Sequence, residues 1–355
     1  MTGTGSQTDL GVCLVTGAAG LVGSNLVRQL LDRGHRVRAL VHRTPLTIEH
    51  QGLEQVRGSI EDSAAMGAAC AGVDTVFHTA AAIALLGGKH VSSEYRSAAW
   101  RVNVEGTANV IQACRQNGVG RLVYTSSVDV CFDGKPSPDM DQTTAYAGRP
   151  ASVYQETKIE AEKRVLGANG ADGLYTCALR ADGIYGPEPN MIFEEVVKQV
   201  ALGRFKAGIG SPRTLQDNSY VGNLVHGEIL AAEQLGPTGR ASGNAYFITD
   251  YCPQNTMEFL RQVVDGLGEK VPTARIPRGV MRPVLVLWQY LHFRVGAPAP
   301  PLTPHELDKV TITHYGSIKD AERDFGYRPA TSYQDAIELC IPYCRDLHRQ
   351  LKKQA

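Results

Sequence analysis

The chain has 355 residues, more than one ordinary domain, yet no low-complexity linker divides it, so one large unit with a smaller lobe is expected. Lys plus Arg number 36 and Asp plus Glu 36, and neither sign forms a long block, so nothing in the charge directs the chain to nucleic acid. The eight cysteines lack metal-ligand spacing. Cys340 and Cys344 lie one helical turn apart without a histidine pattern, so free thiols and no bound metal are expected. The first ten residues are polar and carry no basic region, so a cytoplasmic location without a cleaved signal peptide is expected.

In chain order, Val12 to Val15 form an apolar run of the kind buried on both faces of a sheet. Leu21, Val22, Leu26, Val27, Leu30 and Leu31 then recur at helical spacing. Between them Gly17, Gly20 and Gly23 permit a tight turn, close approach of a pyrophosphate, and packing of helix on strand. The helix N-terminus adds free N–H groups and a positive dipole end. Thr16, Gly17, Ala19, Gly20, Leu21, Val22 and Gly23 are therefore candidate dinucleotide contacts. The spacing is G-x-x-G-x-x-G. With Thr16 ahead of it, the stretch resembles the short-chain dehydrogenase/reductase superfamily.

His35–Val41 reads as a second strand. An acidic residue usually follows such a strand in NAD enzymes to bind the ribose hydroxyls. Here His42 and Arg43 follow instead, suited either to a 2′-phosphate or to a solvated basic turn. Leu53–Ile60 is expected as a third strand. In the superfamily the residues that follow lie near the adenine, which makes Ser59, Ile60 and Asp62 candidates. Asp74–Ala81 is a fourth strand ending in small residues, and Thr79, Ala80 and Ala81 would let a nicotinamide ribose lie against the backbone. Ser93 to Asn117 reads as one long helix, in which Asn103-Val104-Glu105-Gly106-Thr107 resembles the superfamily's N-x-x-G-T segment, whose Asn braces the active site.

Arg121–Ser127 is a fifth strand ending in hydroxyls, where ligands bind in open α/β sheets. Leu174–Arg180 and Tyr246–Thr249 complete an expected doubly wound parallel sheet. Tyr154 and Lys158 are four apart, so a helix presents both from one face. A free tyrosine, with a pKa near ~10, is a poor base at neutral pH. A lysine ammonium one turn away, with the charge of an oxidised nicotinamide, is expected to favour the phenolate. On this reading Ser127 orients a substrate hydroxyl, Tyr154 takes its proton and Lys158 also anchors the ribose. Ser126 is the rival for the serine role; Ser127 is preferred by alignment with the superfamily.

Tyr124–Ser127, Tyr154–Lys158, Leu179–Gly186 and Asp217–Gly227 together resemble the 3β-hydroxysteroid dehydrogenase family. His78–Tyr95 and Leu291–Pro300 are similar to actinobacterial NAD-dependent cholesterol dehydrogenases of that family. The likeness covers nearly the whole chain. It implies a Rossmann-like extended short-chain dehydrogenase with a C-terminal substrate lobe. Residues 10–185, completed by about 216–250, would form the dinucleotide-binding domain, and 186–215 with 251–355 the substrate lobe.

The resemblance also implies Thr125, Ala181, Gly183 and Ile184 as further cofactor contacts, and a homodimer. The family favours NAD, whereas Arg43 tilts the choice toward NADP(H). The expected activity is oxidation of a 3β-hydroxysteroid to the 3-oxo steroid, with Δ5-to-Δ4 isomerisation as an open second step. An NADP-dependent ketone reductase and a decarboxylating 4-carboxysterol 3-dehydrogenase are alternatives. A sugar-nucleotide epimerase or dehydratase ranks lower. Gln216 stands where such epimerases carry Arg, and Val128-Asp129 where dehydratases carry an acidic pair. A catalytically silent cofactor sensor would have lost Tyr154 or Lys158. The segment 281–293 is strongly apolar but too short to span a bilayer, which needs roughly 20 apolar residues. It reads either as a core helix or as an apolar wall for a flat ring system, resting on a membrane surface.

Overall fold

The computed structural model describes residues 8–83, 92–300 and 302–354. The chain begins with β1 (Val12–Thr16), α1 (Leu21–Asp32), β2 (Arg36–Val41), β3 (Leu53–Arg57), α2 (Ser63–Cys70) and β4 (Thr75–His78). Next, α3 (Ser93–Trp100) passes through a π-helical turn, Arg101–Gly106, into α4 (Thr107–Gln116). β5 (Arg121–Ser127), β6 (Ser137–Met140), α5 (Val153–Gly167) and β7 (Tyr175–Ala181) follow. The C-terminal part holds β8 (Ile184–Tyr185), α6 (Met191–Ala201), β9 (Gly208–Ile209), β10 (Ser219–Tyr220), α7 (Val221–Glu233) and β11 (Ala245–Ile248). It ends with α8 (Thr256–Gly266), β12 (Arg275–Ile276), α9 (Arg278–Val295), α10 (Pro304–Thr311), β13 (His314–Gly316), α11 (Lys319–Phe325) and α12 (Tyr333–Gln354).

Seven strands form one sheet in the order β11-β7-β5-β4-β1-β2-β3, with every pairing parallel. Parallel strands are covered on both faces, so their sequences are apolar almost throughout. All four residues of β4 are buried, and β5 is buried beyond its first residue. The edge strand β3, Leu-Glu-Gln-Val-Arg, is exposed at Glu54, Gln55 and Arg57. One face carries α1 and α7, through Leu26, Val27, Leu30, Leu224, Val225 and Ile229. The other carries α2, α4 and α5, through Met66, Val110, Ile111, Ala161 and Val165. Burying each such Val, Leu or Ile side chain contributes about 1.5–3 kcal/mol.

The order reverses between β1 and β4: the chain winds outward through β2 and β3, then returns to the far side of β1. That switch point opens a crevice at the strands' carboxyl ends, where ligands of such sheets bind. The expected third strand stops at Arg57 rather than Ile60, and Gly58, Ser59 and Ile60 beyond it line the crevice. The expected single helix from Ser93 is interrupted by the π-helical turn, a feature frequent at functional sites.

The core-helix reading of 281–293 is overturned. In α9 only Leu285 is buried, while Leu287, Tyr290 and Phe293 are 58%, 56% and 55% exposed. The alternative of an apolar wall for the crevice is not met either, since no residue of α9 lines it. Within the described residues no helix is long and apolar enough to cross a membrane.

Candidate active site

The crevice is a cleft of about 630 Å³ running from the glycine loop to Tyr154. Gly17, at the end of β1, has φ +68°, and a Cβ built there would lie 2.8 Å from the Ala80 nitrogen. A Cβ on Gly23 would lie 2.3 Å from the Gly17 carbonyl oxygen. Both positions therefore exclude side chains, and the loop keeps its backbone bare toward the cleft. Gly20 caps α1 without a side-chain hydrogen bond, and the first turn of α1 has no acidic residue. An uncapped helix N-terminus over a bare glycine loop fits a pyrophosphate.

The structure gathers most of the candidate cofactor contacts along this cleft. Gly17, Ala19, Gly20, Leu21, Val22 and Gly23 line one part of it. His42, Arg43, Ser59 and Ile60 line the end beside β2, and Thr79, Ala80, Ala81, Ala181, Gly183 and Ile184 the middle. Five candidates, the buried Lys158 among them, do not line it. Asp62 does not line the cleft, because its carboxylate caps α2 by accepting from the Ala64 and Ala65 amides at 2.9 and 3.1 Å. Thr16 is buried behind the loop, its hydroxyl 2.8 Å from His78 Nδ1. Asn103 accepts from the Ala82 amide at 2.7 Å and donates to the Ala82 carbonyl and to Thr157 Oγ1. It thus ties the chain after β4 to the turn of α5 that bears Tyr154. The Thr125 hydroxyl donates to Glu228 Oε1 at 2.5 Å, and its carbonyl accepts from Lys158.

At the far end, β5 pairs with β7 so that Ser127 lies beside Ala181. Successive strand residues point opposite ways. Ser126 Oγ donates to Glu162, which forms a buried ion pair with Arg180 at 2.7 Å. The Ser127 hydroxyl accepts from the Asp129 amide at 3.2 Å, lines the cleft with Tyr154 and helps to hold the phenol's pKa down. Ser126 also lines the cleft, but its hydroxyl is tied to the Glu162–Arg180 pair, whereas Ser127 is the hydroxyl that acts on the phenol. Ser152 caps α5 and places Tyr154 in its first turn.

Lys158, 2% exposed, donates to the Thr125 carbonyl at 2.6 Å, and its ammonium sits 4.2 Å from the centre of the Tyr124 ring. Burial lowers its pKa to about 7 against the opposing charges of Glu162 and Glu228. Burial and then the Asp129 carboxylate push the Tyr154 phenol above its ordinary range. The opposing cation is Lys309 of α10, and the Ser127 hydroxyl acts in the same direction.

Several groups here carry no local sequence signal. Lys309 lines the cleft and pairs with Asp129 at 2.8 Å. Asp182 also lines it, its carboxyl raised to about 7 by burial and Asp129 against the pull of Lys309. His78 is held between Thr16 and Thr107 and driven down to about 3 by burial and Lys158. Of these the sequence pattern assigns a chemical role to Asp129 alone, as half of a missing acidic pair.

A glycine loop at the switch point of a parallel sheet, with serine, tyrosine and lysine at the end of β5 and head of α5, defines a dinucleotide-dependent oxidoreductase scaffold. The chain belongs to the 3-beta hydroxysteroid dehydrogenase/isomerase family, whose model matches residues 14–278. It is 45% identical over 348 residues to the 3 beta-hydroxysteroid dehydrogenase/Delta 5→4-isomerase of Mycobacterium tuberculosis, covering 98% of this chain and 94% of that protein. The decarboxylating sterol-4-alpha-carboxylate 3-dehydrogenase of Homo sapiens is 34% identical over 346 residues, 95% of this chain and 89% of that protein. Among solved structures, MoeE5 in complex with UDP-glucose and NAD superposes with a TM-score of 0.72 at 26% identity, covering 95% of this chain and 99% of that one. The family is nicotinamide-dependent.

Proposed function

We propose that the protein oxidises the 3β-hydroxyl of a steroid or sterol to a ketone, using NAD or NADP bound along the glycine-loop cleft. The observation that carries this reading is the Ser127–Tyr154 hydroxyl pair, set in the same cleft as the glycine loop. The cofactor, when bound, accepts the carbinol hydride. Ser127 orients the substrate hydroxyl, and Tyr154 accepts its proton. Lys158, one turn along α5, holds the ribose and steadies the Thr125 carbonyl. Gly17, Gly20 and Gly23 hold the pyrophosphate. Residues 10–185 with 216–250 serve as the cofactor-binding part, and 186–215 with 251–355 as the substrate lobe.

Arg43, exposed at the cleft edge where NAD enzymes carry an acid, supports NADP(H), while the MoeE5 complex supports NAD. The name of the mycobacterial relative supports Δ5-to-Δ4 isomerisation as a following step, and that of the human relative supports a 4-carboxysterol substrate. The apolar face of α9, flanked by Arg282 and Arg294 and bearing no acidic residue, suits contact with a membrane surface. Homodimerisation through the helices beginning at Ser93 and Val153 completes the reading, and sedimentation at micromolar concentration showing only monomer would remove it. The main test offers cholesterol, pregnenolone or dehydroepiandrosterone beside UDP-sugars, with NAD+ or NADP+, and identifies the products. Turnover of a UDP-sugar with none of any steroid would overturn the assignment.

A further inference from the structure

The charged groups around Tyr154 come from several separate segments. Asp129 stands in the turn after β5 and Lys309 in α10, their 2.8 Å ion pair bridging the sheet to the C-terminal part. Asp129 is 2% exposed, and the Lys309 side chain faces the cleft. The backbone of Asp129 is fixed on both sides: its amide donates to Ser127 Oγ, and its carbonyl accepts from Gln155 Nε2 at 2.6 Å. Ser127 lines the cleft with Tyr154, and Gln155 is the chain neighbour of Tyr154. Such a pair adds little as a structural device, since replacing a buried ion pair by packed apolar groups is often neutral or stabilising.

We propose that the Asp129–Lys309 pair is a positioning device for the reaction, setting the charge felt by the Tyr154 hydroxyl and hence the pH at which Tyr154 acts as base. The inference rests on Tyr154 being the proton acceptor of the proposed oxidation. Tyr154 lies within electrostatic reach of Asp129 and Lys309, of Tyr124 on β5 and of Tyr95 on α3, and the Lys158 ammonium one turn along α5 is held on the Thr125 carbonyl. Asp182 after β7 faces Lys309, and His305 and His314 face Asp129. Within this set Lys309 is the cation that opposes the carboxylates around the phenol. Burial and Asp129 push Tyr154 up while Lys309 holds it down. Removing one partner therefore moves the phenol one way, and removing the other moves it the opposite way. A purely structural pair gives no such opposition.

The test measures pH profiles of kcat/KM for steroid oxidation in the wild type, Lys309→Met, Asp129→Asn, Lys309→Arg and the Lys309→Met/Asp129→Asn double variant. Lys309→Met moves the acid limb up by about one pH unit, lowering the rate below that limb about tenfold. Asp129→Asn moves the limb down by a comparable amount. The double variant returns it toward the wild type, and Lys309→Arg leaves it in place. A second readout needs no substrate. With NAD+ saturating, the tyrosinate absorbance titration of each variant, less that of its Tyr154→Phe counterpart, follows the same order. Limbs that stay put, or that move in the same direction for both single variants, overturn the proposal. Should Lys309→Met fail to fold, Asp129→Asn leaves the ammonium uncompensated and its downward shift decides the matter. A protein that shows the tyrosinate order yet oxidises no steroid defeats the oxidation reading alone, whereas turnover with unmoved limbs defeats the role of the pair alone.

Discussion

At the glycine-loop end of the cleft, function is written in the backbone: bare amides, a positive φ at Gly17, and a helix end that no side chain caps. At the Tyr154 end it is written in side chains from β5, α5, the segment after β7 and α10, whose charges oppose one another in a buried setting. The first end depends on the absence of atoms, and the second on a balance of charge. Substitutions should accordingly affect binding at one end and chemistry at the other.

The largest effect tests the second end. Tyr154→Phe removes the proton acceptor, and loss of general acid–base work lowers kcat by roughly 100- to 10,000-fold. Cofactor affinity, read by titration, stays near that of the wild type; near-native turnover would show that Tyr154 is not the base. At the other end, Gly23→Ala places a methyl against the Gly17 carbonyl. A strain of about 1–3 kcal/mol weakens cofactor binding by roughly 5- to 100-fold while kcat at saturation is retained. A variant that binds normally would mean the loop yields.

Arg43→Ala sharpens the comparison within the cofactor end. Loss of a charged hydrogen bond of about 1.5 kcal/mol raises the dissociation constant of NADP(H) roughly tenfold and leaves NAD(H) little changed. Equal effects on both would mark a solvated turn. The smallest effect is one of stability. Asp182 has its folded pKa raised to about 7 by burial, above an unfolded value near ~3.9. The native state thus holds more protons between those values, and stability falls as pH rises through about 7. Asp182→Asn removes that decline, so thermal melts of the variant between pH 5 and 8 are flatter than those of the wild type. Parallel slopes would mean that Asp182 ionises without cost.

The glycine-loop end was legible in the sequence because its determinants are local. A strand, three glycines and an amphipathic helix declare themselves within twenty residues of Val12, and the sheet follows from the alternation of strands and helices. Tyr154 and Lys158 were legible for the same reason, being four apart on one helix. Lys309 was not, because nothing local distinguishes it from any other lysine until folding brings it 2.8 Å from Asp129. The place of Asp62 after β3 pointed to the cofactor but gave no sign that its carboxylate caps α2. The apolar run at 281–293 misled: hydrophobicity without a partner reads as core, yet α9 turns that surface outward.

The π-helical turn at Arg101–Gly106 behaves as a phase insertion. It accommodates one residue more than an α-helix would, so the sequence spacing between α3 and α4 is out of step with a regular helix. Each residue of an α-helix advances by roughly 100°. Deleting a single residue there would let the helix close its regular ladder and would re-aim the residues of the widened turn itself, while α3 and α4 kept their places. Asn103 would leave its bracket on Ala82 and Thr157, two attachments made through one side chain. The spacing of this helix is thus a matter of residue count as much as of residue identity, and a shortened chain with every remaining side chain intact would still lose the brace between β4 and the Tyr154 turn.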